Sequence, residues 1–126
     1  MIKGFRVKAP YCKHRIYIDG KRLSFRKSLK YIRIGYTGFE WGYGGAGPQQ
    51  LAFAILLELT NEKIARTLLL EFTQRFVSKL PPKQNFSIPI EKAIRVIDEC
   101  LQAEDLPDEY TTQIRVDLKK AGRTIH

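Results

Sequence analysis

The first forty residues alternate apolar and polar side chains with a period of two, the pattern of half-buried β-strands. Asp19-Gly20 is a two-residue turn of the kind that takes positive φ at both positions. Residues 14–18 and 21–25 are therefore predicted to form a hairpin, and a further strand is predicted at 30–36. The alternating residues expected to face the core are Phe5, Val7, Ile16, Ile18, Leu23, Phe25, Ile32, Ile34 and Tyr36.

Beyond residue 50 the apolar period becomes that of an α-helix. The segment Leu51–Leu59 is apolar on every side of a helical wheel, which predicts a helix buried around most of its circumference, with Pro48 in its first turn. A second helix, capped by Thr60 or Asn61, is predicted to run to residue 80, and a third is predicted over 89–102. The apolar stripes of these two helices are Ile64, Leu68, Leu69, Phe72, Phe76, Leu80, Ile90, Ala93, Ile94, Ile97 and Leu101.

The tail from Pro107 to Gly122 fits a fourth helix, and the alternative is an edge strand over 111–118, where apolar residues also alternate. Strands followed by helices predict an α+β fold, with a small N-terminal antiparallel sheet packed on a C-terminal layer of three to four helices. Residues 1–126 are predicted to form a single domain, with a basic β-rich part at 1–40 and a Gly-rich loop and helical part at 41–126.

Charge is distributed unevenly over the 126 residues. The chain is 44% hydrophobic and 28% charged, with a net charge of +9. The whole excess lies in residues 1–40, which hold eleven basic and two acidic side chains. A cluster of this density attracts polyanions. There is no run of 18 apolar residues and no apolar stretch after Met1, so no membrane span or secretory signal is expected and the predicted location is the cytoplasm.

Arginine and tyrosine are interleaved on the face of the predicted sheet that points to water. Guanidinium groups pair with phosphate and aromatic rings stack on bases, so this face is a candidate for binding nucleic acid. The chain has no RNP string, KH loop or recognition-helix signature, and a merely solvated face or a docking surface for an acidic protein are the alternatives. The predicted contact residues are Arg15, Tyr17, Arg26, Tyr31 and Arg33.

Five of the nine glycines fall between residues 38 and 47, directly before the apolar helix. A glycine-rich loop that leads into a helix exposes amide groups at the positive end of the helix dipole, which predicts an anion site. The expected contacts are Gly44, Gly45, Ala46 and Gly47. The loop matches neither phosphate-binding fingerprint, and the alternative is that glycine allows close backbone packing around a buried helix.

Three other residues of the same loop could build a small ligand pocket. Trp41 would supply an apolar wall and Tyr43 a hydroxyl group. Glu40 could act as a general base, but a salt bridge to Arg33 or another neighbour is the expected role. No second carboxylate or histidine stands at a fixed spacing, so no hydrolase mechanism can be written and enzymatic activity stays open.

The two cysteines lie far apart in the chain and neither belongs to a CxxC pair, so a zinc site or a redox pair is not expected. Cys100 lies on the apolar stripe of the third helix and is expected to be a small buried hydrophobe. Cys12 stands two residues before His14, but no residue is placed to orient the imidazole, so a catalytic thiolate is not expected. No metal or cofactor is predicted.

The string WGYGGAGPQQLAFAILLELT, from Trp41 to Thr60, resembles the signature of an uncharacterised domain family of mostly bacterial and archaeal proteins. The similarity extends over about residues 14–100. It implies kinship and no established activity, so it assigns no catalytic residue.

These observations predict a small basic binding protein that contacts nucleic acid or a nucleotide-like anion through its sheet face and its glycine-rich loop. The alternatives are an interaction module that docks an acidic protein partner, and an enzyme that acts on a phosphorylated small molecule. No membrane partner is expected, and the sequence leaves the oligomeric state undetermined.

Overall fold

The computed structural model describes residues 1–7 and 14–104. In this part of the chain, a four-stranded antiparallel sheet and four α-helices form the predicted α+β fold. The strands are β1 (Ile2–Arg6), β2 (His14–Ile18), β3 (Lys21–Arg22) and β4 (Phe86–Ile88), and the helices are α1 (Phe25–Leu29), α2 (Ala46–Leu59), α3 (Glu62–Arg75) and α4 (Ile90–Ala103). The strand order is β3-β2-β1-β4.

The inner face of the sheet is set by alternation, but the phase of β1 is opposite to the prediction. Ile16 and Ile18 of β2 are buried as expected, whereas Phe5 of β1 is 40% exposed and Ile2 and Gly4 face the core. A Cβ atom at Gly4 would overlap the Phe86 ring. Because Gly4 has no side chain, the Phe86 ring of β4 lies over β1 and fills the core at this position. Phe5 therefore points to the opposite face, toward water.

The predicted hairpin is present, but it is shorter than expected. Asp19 and Gly20 have φ values of 50° and 81°, as the two-residue turn requires, and β3 ends at Arg22. Ser24 then caps α1 by accepting a hydrogen bond from the Lys27 amide. This cap starts a helix where the alternating pattern predicted the end of a strand.

The strand predicted at 30–36 is wrong. Residues 30–45 form no strand or helix, and Tyr36, expected to face the core, is 69% exposed. Ile32 and Ile34 are only partly buried, at the edge of the core. The amides of Tyr31 and Ile32 donate back to the carbonyl of Ser28, which continues the helical turn and prevents extended pairing.

Helices α2, α3 and α4 follow the predicted pattern. α2 begins at Ala46, with Pro48 in its first turn, and nine of its residues are buried. The predicted stripes of α3 and α4 are buried as well, together with the free thiol of Cys100. The buried apolar residues of these three helices and of the inner sheet face belong to one hydrophobic cluster.

Two local features of the helical half depart from the prediction. The second helix ends at Arg75, and a 3₁₀ turn over Val77–Lys79 carries the chain on to Leu80. Residues 86–88 form β4 on the edge of the sheet, so the order of strands first and helices after is broken. None of the helices in the described residues is long and apolar enough to cross a membrane. The predicted tail helix at 107–122 lies outside these residues.

Gln50 is the one polar side chain of α2 that is completely buried. Its Oε1 atom accepts hydrogen bonds from the amides of Ile34 and Gly35. Its Nε2 atom donates to the hydroxyl of Ser28 and to the carbonyl of Ile32. One side-chain amide therefore satisfies the polar groups of the irregular segment that follows α1 and holds this segment against α2.

We expect Gln50→Leu to lower the free energy of unfolding by about 3 kcal/mol or more, because it leaves several buried polar groups unpaired at roughly 1–3 kcal/mol each. Urea denaturation measures this change. Gln50→Glu keeps the acceptor oxygen but places a carboxylate against the carbonyl of Ile32, so it should also destabilise the protein.

The control is Gln74→Leu, which removes the same side chain from an exposed position on α3. Its effect should stay within about 0.5 kcal/mol. Equal effects of Gln50→Leu and Gln74→Leu would contradict the role assigned to the buried amide.

Candidate functional site

The outward face of the sheet carries a two-by-two block of cations and aromatic rings. Lys3 pairs with Tyr17 across β1 and β2, and Phe5 pairs with Arg15, so a cation stands beside a ring in both pairs. The two rings lie on the diagonal, with centroids 5.7 Å apart and planes at 75°. Arg22 of β3 pairs with Tyr17 from the other side. Tyr17 therefore has a cation on each neighbouring strand.

An open depression of about 710 Å³ lies over this block. This volume is within the range of small-molecule sites. Asp19, at the turn of the hairpin, is the one acidic residue among its described lining residues. These residues are Met1, Lys3, Phe5, Val7, Arg15, Tyr17, Asp19 and Gly20.

The cations of this face have no acidic partner among the residues that the structure describes. Within 1–7 and 14–104, no carboxylate lies at ion-pair distance from Lys3, Arg15 or Arg22, whereas Arg66 and Arg75 are both paired. Cations of this kind beside exposed rings are the chemical groups that a nucleic acid strand contacts. We refer to Lys3, Phe5, Arg15, Tyr17 and Arg22 as the sheet-face cluster.

The structure brings only part of the predicted contact set together. Arg15 and Tyr17 belong to the sheet-face cluster, while Arg26 lies on α1, and Tyr31 and Arg33 lie in the segment after it. The ring of Tyr31 packs against Phe53 of α2. Tyr31 and Arg33 were expected beside Arg15 on a strand predicted at 30–36, and Arg26 was expected there as a continuation of the strand predicted at 21–25. The strand at 30–36 does not form and β3 ends at Arg22, so these three residues do not share the face of Arg15.

Sequence reasoning missed Phe5, Lys3 and Arg22 as members of this cluster. Phe5 was assigned to the core, and the other two were counted only in the net charge. The signal for Phe5 was its place opposite Arg15 in the register, which depends on the phase of β1 and on the glycine at position 4. Period-two alternation alone does not reveal that phase.

Arg22 also connects the sheet face with the surface of α1. A second open groove, of about 420 Å³, is lined by Arg22, Ser24, Phe25 and Arg26. Arg22 is next to Tyr17 in the sheet and lines this groove as well. A positively charged strip therefore runs from the sheet-face cluster round the β3 edge to Arg26.

A different group of residues surrounds the Glu40 carboxylate. Arg6 of β1 donates to both of its oxygens, at 2.9 and 3.2 Å, and Nε2 of His14 lies 3.1 Å from Oε2. The Nδ1 atom of His14 accepts from the amide of Val7, so the ring proton is on Nε2 and is donated to Glu40. The expected salt bridge of Glu40 is present, with Arg6 as its described partner in place of Arg33.

The geometry of Glu40 does not suit a general base. Burial acts to raise its pKa, but hydrogen bonds from Arg6 and His14 outweigh burial and hold the pKa below the usual value. A base that works near neutral pH needs the opposite shift. Glu40 is thus a structural anion that joins β1, β2 and the loop before α2.

Two of the three predicted pocket residues, Glu40 and Trp41, have little exposed surface. Trp41 is only 1% exposed, its Nε1 donates to the carbonyl of Gln84, and the guanidinium of Arg6 lies 5.2 Å from its ring centroid. Tyr43 is 51% exposed. Partial burial and the nearby Glu40 carboxylate raise the pKa of Tyr43, so its hydroxyl stays protonated at neutral pH. Of the three predicted pocket residues, Tyr43 alone has a largely exposed side chain.

The glycines of the loop allow close contacts. A Cβ atom at Gly47 would lie 2.8 Å from the Cβ of Glu40. A Cβ atom at Gly42 would lie 2.6 Å from Pro82, and Gly42 also has a positive φ of 90°. Gly44 and Ala46 are exposed. Anion binding by Gly44, Gly45, Ala46 and Gly47 stays a prediction, and the negative charge of Glu40 beside Gly47 opposes it.

Of the two cysteines, the structure describes Cys100, which is buried and not reactive. Burial raises the pKa of the Cys100 thiol to about 12, so it stays protonated and packs as an apolar group. Cys12 lies outside the described residues. Across 1–7 and 14–104, no group of three His, Cys, Asp or Glu side chains could hold a metal ion.

The lowered pKa of Glu40 predicts a pH-dependent contribution to stability. The folded pKa is below the unfolded value, so the contribution is present above about 4.5 and is lost as the pH falls through the folded pKa. At pH 7, Glu40→Gln should lower the free energy of unfolding by about 2 kcal/mol. Urea denaturation at falling pH should show this difference from the wild type shrinking.

Glu104→Gln is the control, because it removes the same charge from an exposed position at the end of α4. It should change stability at pH 7 by no more than about 0.5 kcal/mol. A difference between the wild type and Glu40→Gln that stays constant down to strongly acidic pH would contradict the assigned role of the carboxylate.

Comparison with known proteins identifies a family whose activity is not established. No curated protein and no solved structure gives a significant match to the chain. A model of a family of unknown function, DUF6166, matches residues 8–99, which include the sheet from β2 onward, the Glu40 loop and most of α4. The chain belongs to this family of unknown function, DUF6166.

Proposed function

We propose that this protein binds nucleic acid through the sheet-face cluster. The observation that carries the proposal is the group of three cations, Lys3, Arg15 and Arg22, which share one face with two aromatic rings and have no acidic partner in the described part of the chain. Phosphate contacts supply most of the affinity of such a surface, and they do so for many sequences alike.

Burial and charge both favour an external polyanion over a purely solvated face. A merely solvated face carries ion pairs or isolated long cations. Here, in contrast, Phe5 is exposed in the middle of the sheet and an open depression lies above it. Exposed apolar groups ringed by polar ones are typical of binding sites. A second copy of the chain is disfavoured as the occupant, because it would bring like charges together.

The glycine-rich loop is a weaker candidate for the anion. One of its predicted contacts, Gly47, lies beside Glu40, which is ionised and already paired with Arg6. An arriving phosphate would meet this carboxylate near the start of α2. We therefore assign phosphate binding to the side chains of the sheet and not to the loop.

Binding of labelled oligonucleotides should weaken as salt rises, with a slope of log K against log salt near −2 for three phosphate contacts on a single strand, at about 0.7 per contact. Replacing Lys3, Arg15 and Arg22 together with alanine should reduce the slope to nearly zero. Fluorescence anisotropy over a series of salt concentrations measures both quantities, with DNA and RNA strands and with duplexes.

The matched control replaces Lys79, Lys92 and Arg95 with alanine, which removes the same charge from exposed positions on the helical side. This variant should keep the wild-type slope. Loss of binding in both triple variants would mean that net charge alone is responsible. If poly-aspartate bound as tightly as nucleic acid at the same salt concentration, an acidic protein would replace nucleic acid as the partner.

A further inference from the structure

The two aromatic rings of the sheet-face cluster contact each other in a geometry that phosphate binding by the cations would not need. The rings of Phe5 and Tyr17 meet edge to face, with centroids 5.7 Å apart. This contact restricts the rotation of both rings before any ligand arrives, so a stacked base would cost little further ordering. Phe5 is 40% exposed and gives the pair an apolar surface that reaches water.

We propose that the occupant of this site is single-stranded nucleic acid, with one base stacked on the Phe5–Tyr17 pair and its backbone led by Arg22 round the β3 edge toward Arg26. The inference rests on the proposed function and narrows it to one form of the polymer. Bases in a duplex are stacked on each other and hide their faces, whereas a single strand can turn a base toward an aromatic side chain.

The shape of the face agrees with this choice. The block lies under a depression whose described lining comes from β1, β2 and the turn after β2, so a flexible strand can lower a base onto the rings. A duplex is a stiff rod and would touch only the rim of a depression of this size. Duplex contacts would then involve the cations and leave the rings unused.

The direction of the backbone follows from the positions of the cations. Tyr17 stands between Lys3 and Arg22 in a row across three strands, and Arg22 also lines the groove that contains Arg26. Phosphates on either side of the stacked base can therefore meet a cation. At the β3 edge these contacts would come from the guanidinium groups of Arg22 and Arg26, which line the same groove.

The decisive comparison uses three probes of equal length with the wild-type protein: a single strand, a duplex, and a single strand whose sugars carry no bases. The base-bearing single strand should bind about tenfold more tightly than the abasic strand, since stacking of one base is worth roughly that factor. It should also bind more tightly than the duplex. Anisotropy at one low salt concentration measures all three affinities.

Substitutions of Phe5 and of Arg22 separate stacking from charge. Phe5→Leu should remove most of the preference for the base-bearing strand while the salt slope stays unchanged, and Phe5→Tyr should retain the preference. Arg22→Ala should lower the slope by about 0.7 and keep the preference. Tyr36→Leu, which removes an exposed ring outside the sheet, is the control and should bind as the wild type does.

The outcomes distinguish this inference from the proposal on which it rests. Equal affinity for the three probes, with a normal salt slope, overturns the stacking inference and leaves nucleic acid binding in place. Absence of binding to every probe at low salt overturns both. The comparison of probes needs no variant, so it decides the question even where a substitution disturbs folding.

Discussion

The carboxylate of Glu40 holds the loop before α2 against the first two strands of the sheet. It accepts hydrogen bonds from Arg6 on β1, from His14 on β2 and from the amide of Trp41. Because this side chain is only 15% exposed, its charge needs these donors to remain in the protein interior. The loop before α2 is thereby tied to the sheet, and Trp41 beside it is enclosed by Arg6, His14 and Phe86.

Helices α2, α3 and α4 could be predicted from the sequence because burial imposes a helical period on their apolar residues. Ile64, Leu68 and Phe72 indicate the inner side of α3 without reference to any partner. The strands were harder to predict. Alternation in β1 is compatible with either face inward, and of its two residues that face the core, Ile2 and Gly4, the second has no side chain to mark it. Its partner, the ring of Phe86, comes from a strand that the sequence pattern did not indicate.

The candidate site was predicted only in part, because its residues were assigned through strands whose extent the alternation does not settle. Arg15 and Tyr17 were found because they lie in a hairpin whose register is fixed by the Asp19-Gly20 turn. Arg26 was grouped with them as a continuation of the strand predicted at 21–25, and Arg33 through the strand predicted at 30–36. The Ser24 cap starts α1 and the turn after it continues the helical path, so neither residue lies in a strand. Local hydrogen bonds of a serine here outweighed an alternation of side chains.

Helix α2 has a consequence for how the fold is specified. A helix that is apolar all round gains almost the same burial whichever side it turns to the sheet, so hydrophobic packing leaves its rotation about its own axis poorly defined. Gln50 removes this freedom, because its four hydrogen bonds form only when that side faces residues 28–35. Any other rotational setting buries a bare amide. One polar side chain thus selects a single arrangement among several that are equally apolar.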